Sequence, residues 1–201
     1  MSPHYFSREQ NSDFEDIKIR FYLKKRKLEI ELLGAPGIFS KDRLDLGTEL
    51  LLNHCLIKDD WKILDMGCGY GPVGITLAIL NNSIKVDMVD VNLRALKVAR
   101  KNVRTKKLQE RVNVFESNIY AKIEKKYDSI LINPPQTAGK SVCNEMIIKA
   151  KDHLKQGGVL QIVARHQKGG KGFEQLMEET FGNVETLAKG SGFRVYVSRL
   201  E

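Results

Sequence analysis

Asn133-Pro134-Pro135 directly follows the apolar run Ser129-Ile130-Leu131-Ile132. Two consecutive prolines fix two φ angles and supply no N–H donors. The turn is therefore stiff, and it offers carbonyl oxygens beside an amide side chain. Such a site accepts hydrogen bonds and suits a planar NH₂ on a base or an amide. The Asn133 side-chain oxygen takes one N–H and the Pro134 carbonyl takes the other. Holding both draws the nitrogen lone pair out of conjugation and aims it at an electrophilic carbon, so that catalysis rests on positioning and electrostatics. No suitable histidine, cysteine or carboxylate is next to the turn in the sequence to act as a strong base, and none is needed if the nitrogen loses its proton after transfer. The plainer alternative is a rigid strand exit.

A second cluster, Asp65-Met66-Gly67-Cys68-Gly69-Tyr70-Gly71-Pro72-Val73-Gly74, ends the apolar pair Ile63-Leu64. Gly69, Gly71 and Gly74 fit the dinucleotide pattern G-x-G-x-x-G, and Asp90 follows about 20 residues on. Three features favour another adenosyl ligand. Asp65 at the strand mouth repels a diphosphate and attracts a cation. Pro72 removes an N–H that a diphosphate would use at the helix start. The glycine-rich stretch before the helix is also longer than a tight dinucleotide turn. S-adenosylmethionine, with an ammonium, a sulfonium and no phosphate, fits these features. Asp65 would organise its methionine end, the glycines would let the backbone approach it, and Asp90 would accept from both ribose hydroxyls. An NAD(P) site and a purely structural strand–helix turn remain as alternatives. Gly139-Lys140-Ser141 is no phosphate loop, because Pro134 stands at the opening glycine position.

These clusters need strands to end where they begin. Ile17–Leu23 and Leu28–Leu33 read as a hairpin around Lys24-Lys25-Arg26-Lys27, a basic turn expected to be a solvated tip. A leucine-striped helix follows over Gly47–Cys55. Strands at Ile63-Leu64, Val86–Asp90, Val112–Phe115, Ser129–Ile132 and Val159–Val163 then alternate with helices at Val73–Leu80, Leu93–Lys107, Val142–Leu154 and Gly172–Thr180. Val184–Leu187 and Phe193–Val197 form a closing hairpin. The alternation predicts an α/β fold, a doubly wound and mostly parallel sheet. All the chemical clusters follow strand ends, so they converge on the carboxyl edge, where such sheets bind ligands. Residues 1–46 read as a hairpin and loop extension, and residues 47–201 as the main domain.

Lys plus Arg exceed Asp plus Glu by eight. That balance favours acidic partners such as nucleic acid, although a solvated lysine-rich surface produces it too. Lys140, Lys168, Lys171 and Arg194 stand where they could guide a phosphate backbone. Apolar residues make up 42% of the chain, which fits a globular protein, and no apolar run approaches the ~20 residues of a membrane span. No secretory pattern opens the sequence, and Cys55, Cys68 and Cys143 form no CxxC pair, so reduced thiols and a cytoplasmic location are expected. The four histidines lack metal-ligand spacing, and no metal is expected.

The chain resembles the class I S-adenosylmethionine-dependent methyltransferases, and more closely the methyltransferase small domain family, which includes small-subunit ribosomal RNA guanine-N2 methyltransferases. The resemblance runs over about residues 30–198. Its marks are Gly37-Ile38-Phe39-Ser40, Asp45-Leu46-Gly47, the Asp65–Gly71 loop, Asp90-Val91-Asn92, and Asn133-Pro134-Pro135 with Ala138-Gly139-Lys140. It implies a seven-stranded sheet with the last strand antiparallel, cofactor binding by Asp65, Gly67, Gly69, Gly71 and Asp90, and a Phe39 loop folded over the cofactor side. It also implies that Asn133 and Pro134 hold the target amine. Two positions depart from the family pattern. Asn118 stands where an acidic residue usually accepts the adenine amine, and Gln136 stands where an aromatic residue often stacks on the target base. Stacking would then fall to Phe39 or Phe193. The expected function is S-adenosylmethionine-dependent N-methylation of RNA, with guanine N2 in ribosomal RNA as the leading target. A protein glutamine amide or a small molecule is the alternative acceptor, and a non-catalytic RNA- or nucleotide-binding module the alternative of another class.

Overall fold

The computed structural model describes residues 17–34, 44–134 and 139–201. Strands β1 (Ile17–Leu23) and β2 (Leu28–Gly34) pair antiparallel as a separate hairpin. The main sheet comprises β3 (Lys62–Met66), β4 (Lys85–Asp90), β5 (Val112–Glu116), β6 (Tyr127–Ile132), β7 (Leu154–Arg165), β8 (Glu185–Gly190) and β9 (Phe193–Arg199). Its spatial order is β5-β4-β3-β6-β7-β9-β8. The pairs from β5 to β7 are parallel, and β9 runs antiparallel to both of its neighbours. The seven-stranded, doubly wound sheet with an antiparallel last strand is therefore as expected.

Successive residues of the central strands feed opposite faces. Ile63, Leu131 and Val163 belong to one core with helices α1 (Leu46–His54), α2 (Pro72–Leu80) and α3 (Leu93–Thr105). Leu64, Ile130, Ile132, Leu160 and Ile162 belong to the other, under α4 (Lys140–His153) and α5 (Lys171–Phe181). Strands buried on both faces read as continuous apolar runs, as these do. Helix α2 is apolar on all sides, consistent with its burial from Pro72 to Ala78. Helix α3 is amphipathic, and Asn92 caps it by accepting from the N–H groups of Arg94 and Ala95.

Two local results differ from the sequence reading. Helix α4 ends at His153 and the chain enters β7 at once. Gly157-Gly158 is thus an irregularity within a long strand, and the register against β6 shifts there. The basic hairpin turn is also no free tip. Arg26 donates from Nε to the Leu52 carbonyl at 3.2 Å and from a terminal nitrogen to the Cys55 carbonyl at 2.9 Å. The Lys25 N–H donates to Asn53 Oδ1. The turn therefore supplies donors to the open carbonyl end of α1, where a cation is favourable.

Asn102 ties the hairpin to the sheet. Its side chain accepts from Leu33 N–H at 2.8 Å and donates to the Leu33 carbonyl at 2.8 Å and the Tyr70 carbonyl at 3.0 Å. Asn102→Ala should lower unfolding free energy by about 2–4 kcal/mol, because one buried and two part-buried backbone groups lose a partner. Urea denaturation followed by circular dichroism checks this.

Candidate active site

The sheet reverses its winding between β3 and β6: the chain moves outward through β4 and β5 on one side, then through β7 on the other. At such a switch point the two loops diverge and leave a crevice. Here those loops are the Asp65–Gly74 turn and Asn133-Pro134. The crevice is lined by Asp45, Thr48, Asp65, Tyr70 and Asn133, together with the backbone of Gly67 to Gly69.

The glycine loop hangs on two buried carboxylates. Asp65 Oδ2 accepts from Gly74 N–H at 2.8 Å. Asp90 Oδ2 accepts from Gly69 N–H at 2.9 Å, and its Oδ1 accepts from Asn92 N–H at 2.9 Å. The N–H groups of Gly67 and Cys68 both reach the Val89 carbonyl. Gly71 caps α2 with φ +93°, and a Cβ there would meet Met88 and Ile75 side-chain atoms at 2.6–2.7 Å. Gly67 differs: its φ is +72°, and a Cβ would project into open space. A side chain at Gly67 would occupy the crevice floor, where a bound group would rest.

Burial pushes the Asp65 carboxyl up to about 7, with the Asp90 charge adding to the rise and the Gly74 N–H opposing it. Such a carboxylate is poised to gain from a cation in the crevice. Burial, with the charges of Asp90 and Asp65, raises the Cys68 thiol well above its ordinary value, so Cys68 fills space and is no nucleophile. Tyr70 is 2% exposed, and its hydroxyl has no hydrogen-bond partner among the described residues. An orphaned buried hydroxyl costs about 1–3 kcal/mol.

On the β6 side, Asn133 is half-buried and its amide is oriented by α1. Asn133 Nδ2 donates to Thr48 Oγ1 at 2.8 Å and approaches both Asp45 carboxylate oxygens at 3.4 and 3.5 Å. Thr48 Oγ1 donates in turn to Asp45 Oδ2, while Asp45 Oδ1 accepts from Thr48 N–H as the helix cap. The amide nitrogen is thus committed, and Asn133 Oδ1 is left as an acceptor. Thr48 received no role from the sequence, and Asp45 only a place in a motif. The pattern that betrayed them is an N-cap acid three residues before a threonine.

The other anticipated residues scatter. Asn118 is exposed beyond β5, with its carbonyl accepting from Ala121 N–H, and does not line the crevice. Lys140 begins α4 and Lys168 lies in the His166–Gly170 turn after β7, both exposed on the carboxyl side of the sheet. Arg194 stands 3.9 Å from Glu174, an interaction that offsets its charge. Phe193 cannot stack on a target: it is buried, its ring lies 2.9 Å from where a Gly47 Cβ would be, and the Arg165 guanidinium covers it at 5.1 Å. Phe39, Pro135 and Gln136 lie outside the described residues.

A doubly wound sheet of this order, with paired acids and a glycine loop facing an acceptor turn, has the architecture of an S-adenosylmethionine-dependent methyltransferase. The family model for the methyltransferase small domain matches residues 29–197, and the chain belongs to that family. It is an S-adenosylmethionine-dependent methyltransferase.

The chain is 31% identical over 198 residues to the uncharacterized protein YbxB of Bacillus subtilis, covering 97% of both chains. It is 37% identical over 173 residues to the ribosomal RNA small subunit methyltransferase C of Haemophilus influenzae, covering 84% of this chain and 51% of that one. The chain therefore spans about half the length of that relative. Among solved structures, a Thermus thermophilus 16S rRNA N2 G1207 methyltransferase (RsmC), in complex with AdoMet and guanosine, superposes with a TM-score of 0.79 at 23% identity, over 95% of this chain and 52% of that one. A methyltransferase from Pyrococcus furiosus gives 0.62 at 19% identity over 72% of this chain. Among the described residues no helix is long and apolar enough to cross a membrane.

The residues present fit the cofactor: an open floor at Gly67, the carboxylates of Asp45 and Asp65 for a cationic ligand, and a hydroxyl without a partner among the described residues. The raised Asp65 value also has a sign. The folded chain holds this proton to about pH 7, against 3.8 for the ordinary carboxyl. The stability it contributes is full below about pH 4 and is lost as pH rises to 7. The melting temperature of the cofactor-free protein should therefore fall over that interval. Asp65→Asn should flatten the fall and abolish the thermal shift given by S-adenosylmethionine. Differential scanning fluorimetry across pH reads both.

Proposed function

We propose that this chain methylates an exocyclic amine of RNA, with guanine N2 of ribosomal RNA as the leading target, in the cytoplasm. The observation that carries the reading is the oriented amide of Asn133. Its nitrogen is tied to Thr48 and Asp45, so its oxygen is what the crevice offers to an acceptor substrate. That arrangement takes an N–H donor and disfavours a keto oxygen, which would find no partner there.

S-adenosylmethionine, when bound, supplies a methyl group on a positively charged sulfur. The chain's part is to hold and aim. Asp65 and the backbone at Gly67, Gly69 and Gly71 seat the methionine end, Asp90 takes the ribose hydroxyls, and Asn118 takes the adenine amine if the loop after β5 closes on it. Asn133 Oδ1 and the Pro134 carbonyl accept the two N–H groups of the target, with Pro135 stiffening the turn. Two such bonds orient the amine and pull its lone pair out of the ring system. The proton leaves the nitrogen after transfer, so no strong base has to stand at the turn. The gain comes from fixed geometry and preorganised acceptors.

The net charge of +8, with Lys140 and Lys168 exposed on the carboxyl side, supports a phosphate-bearing substrate. The names of the relatives support ribosomal RNA. Phe39 is the remaining candidate to cover the target, and Arg194 contributes less than its charge suggests because Glu174 faces it.

Labelled-methyl transfer to total RNA and total protein, followed by nucleoside analysis, tests the proposal. Label in N2-methylguanosine is the expected result, and label in protein glutamine would replace RNA with the amide acceptor. Asn133→Ala should lower kcat by about 100-fold or more while changing cofactor Kd less than about threefold. Thr48→Ala should lower kcat by roughly tenfold through a loosened amide, and Thr48→Ser should restore it. Steady-state kinetics beside calorimetric cofactor titration separates these effects.

A further inference from the structure

The crevice is rich in acceptors and short of donors. Asp45 and Asp65 line it, and they suit the ammonium and sulfonium of the cofactor. The same cofactor carries a carboxylate, which those acids repel. It therefore needs a hydrogen-bond donor that the protein has not already used.

The other side-chain donors in the crevice are committed. The Thr48 hydroxyl donates to Asp45, and the Asn133 amide donates to Thr48. The Cys68 thiol points at the Gly69 carbonyl. The N–H groups of Gly67 and Cys68 go to Val89, and that of Gly69 goes to Asp90. The Tyr70 hydroxyl is different: Tyr70 is one of the residues that line the crevice, and its hydroxyl is buried with no partner among the described residues. Buried polar atoms without partners are rare, and each calls for an explanation.

We propose that Tyr70 Oη is the donor that receives the carboxylate of the cofactor's methionine end. The residue sits between Gly69 and Gly71, in the loop that faces that end, and its own carbonyl is pinned by Asn102. Burial and the Asp45 charge raise its ionisation well above the ordinary value, so the hydroxyl keeps its proton and donates. The role concerns the cofactor alone and stands whatever the methyl acceptor is.

Isothermal titration of S-adenosylhomocysteine and of 5′-methylthioadenosine, which lacks the amino-acid end, tests it on the wild type and Tyr70→Phe. Loss of a charge-assisted hydrogen bond predicts about tenfold or more weaker binding of S-adenosylhomocysteine, with 5′-methylthioadenosine changed less than about twofold. Equal weakening of both ligands would mean that Tyr70 only shapes the loop, and unchanged affinity for both would mean that it does not touch the ligand. Either result overturns the proposal. Should Tyr70→Phe fail to fold, a crystal structure of the wild type with S-adenosylhomocysteine decides. A carboxylate oxygen within about 3.2 Å of Oη supports the proposal, and a carboxylate held elsewhere overturns it.

Discussion

Two carboxylates buried side by side, Asp65 at the end of β3 and Asp90 at the end of β4, are the constraint on which the site depends. Each holds part of the glycine loop through a backbone N–H, so the loop conformation and the negative charge come from the same atoms. Burial disfavours the charged form of Asp65 and raises its value, and the Asp90 charge adds to the rise. A ligand that brings an ammonium and a sulfonium into the crevice offsets that penalty, whereas a diphosphate would deepen it. The choice of S-adenosylmethionine over a dinucleotide is thus written into charge as well as loop shape.

The rest of the molecule serves to bring a second polar group to this place. The switch point sets the end of β6 beside the end of β3, which puts Asn133 opposite the loop. Helix α1 completes the crevice from outside the sheet, its cap Asp45 and first-turn Thr48 gripping the Asn133 amide nitrogen. The hairpin in turn caps α1 through Arg26 and anchors α3 through Leu33 and Asn102. A segment that looks like an appendage in sequence is therefore tied, through α1, to a side chain that lines the crevice. Tyr70 stands at the junction, its backbone held by Asn102 and the residue itself part of the crevice lining.

Period and punctuation made the architecture legible. Ile63-Leu64, Ser129–Ile132 and Val159–Val163 are mostly apolar because both faces of the sheet are covered, and a polar residue stands at or beside the carboxyl end of each strand. Asp65, Asp90 and Asn133 were legible for the same reason. Less visible were contacts between residues far apart in the chain. Asp45 and Thr48 read as a helix cap, and nothing local reveals that the cap holds Asn133, 85 residues beyond Thr48. Arg26 read as one charge in a solvated turn until its partners, the carbonyls of Leu52 and Cys55, came into view. Phe193 looked available for stacking because its type suits a base, but Gly47 and Arg165 enclose it. Residue type suggests a chemistry, and only packing decides whether the side chain can reach it.

The central claim is that one crevice holds the sulfur donor and a flat NH₂ together, with Asn133 presenting its oxygen to the amine. A crystal structure with S-adenosylhomocysteine and guanosine examines this directly. The account predicts the ribose hydroxyls on Asp90 and the guanine N2 within hydrogen-bond distance of Asn133 Oδ1 and the Pro134 carbonyl, with the sulfur facing that nitrogen. A nucleoside bound away from Asn133, or an Asn133 amide turned so that Nδ2 meets the ligand, would contradict it.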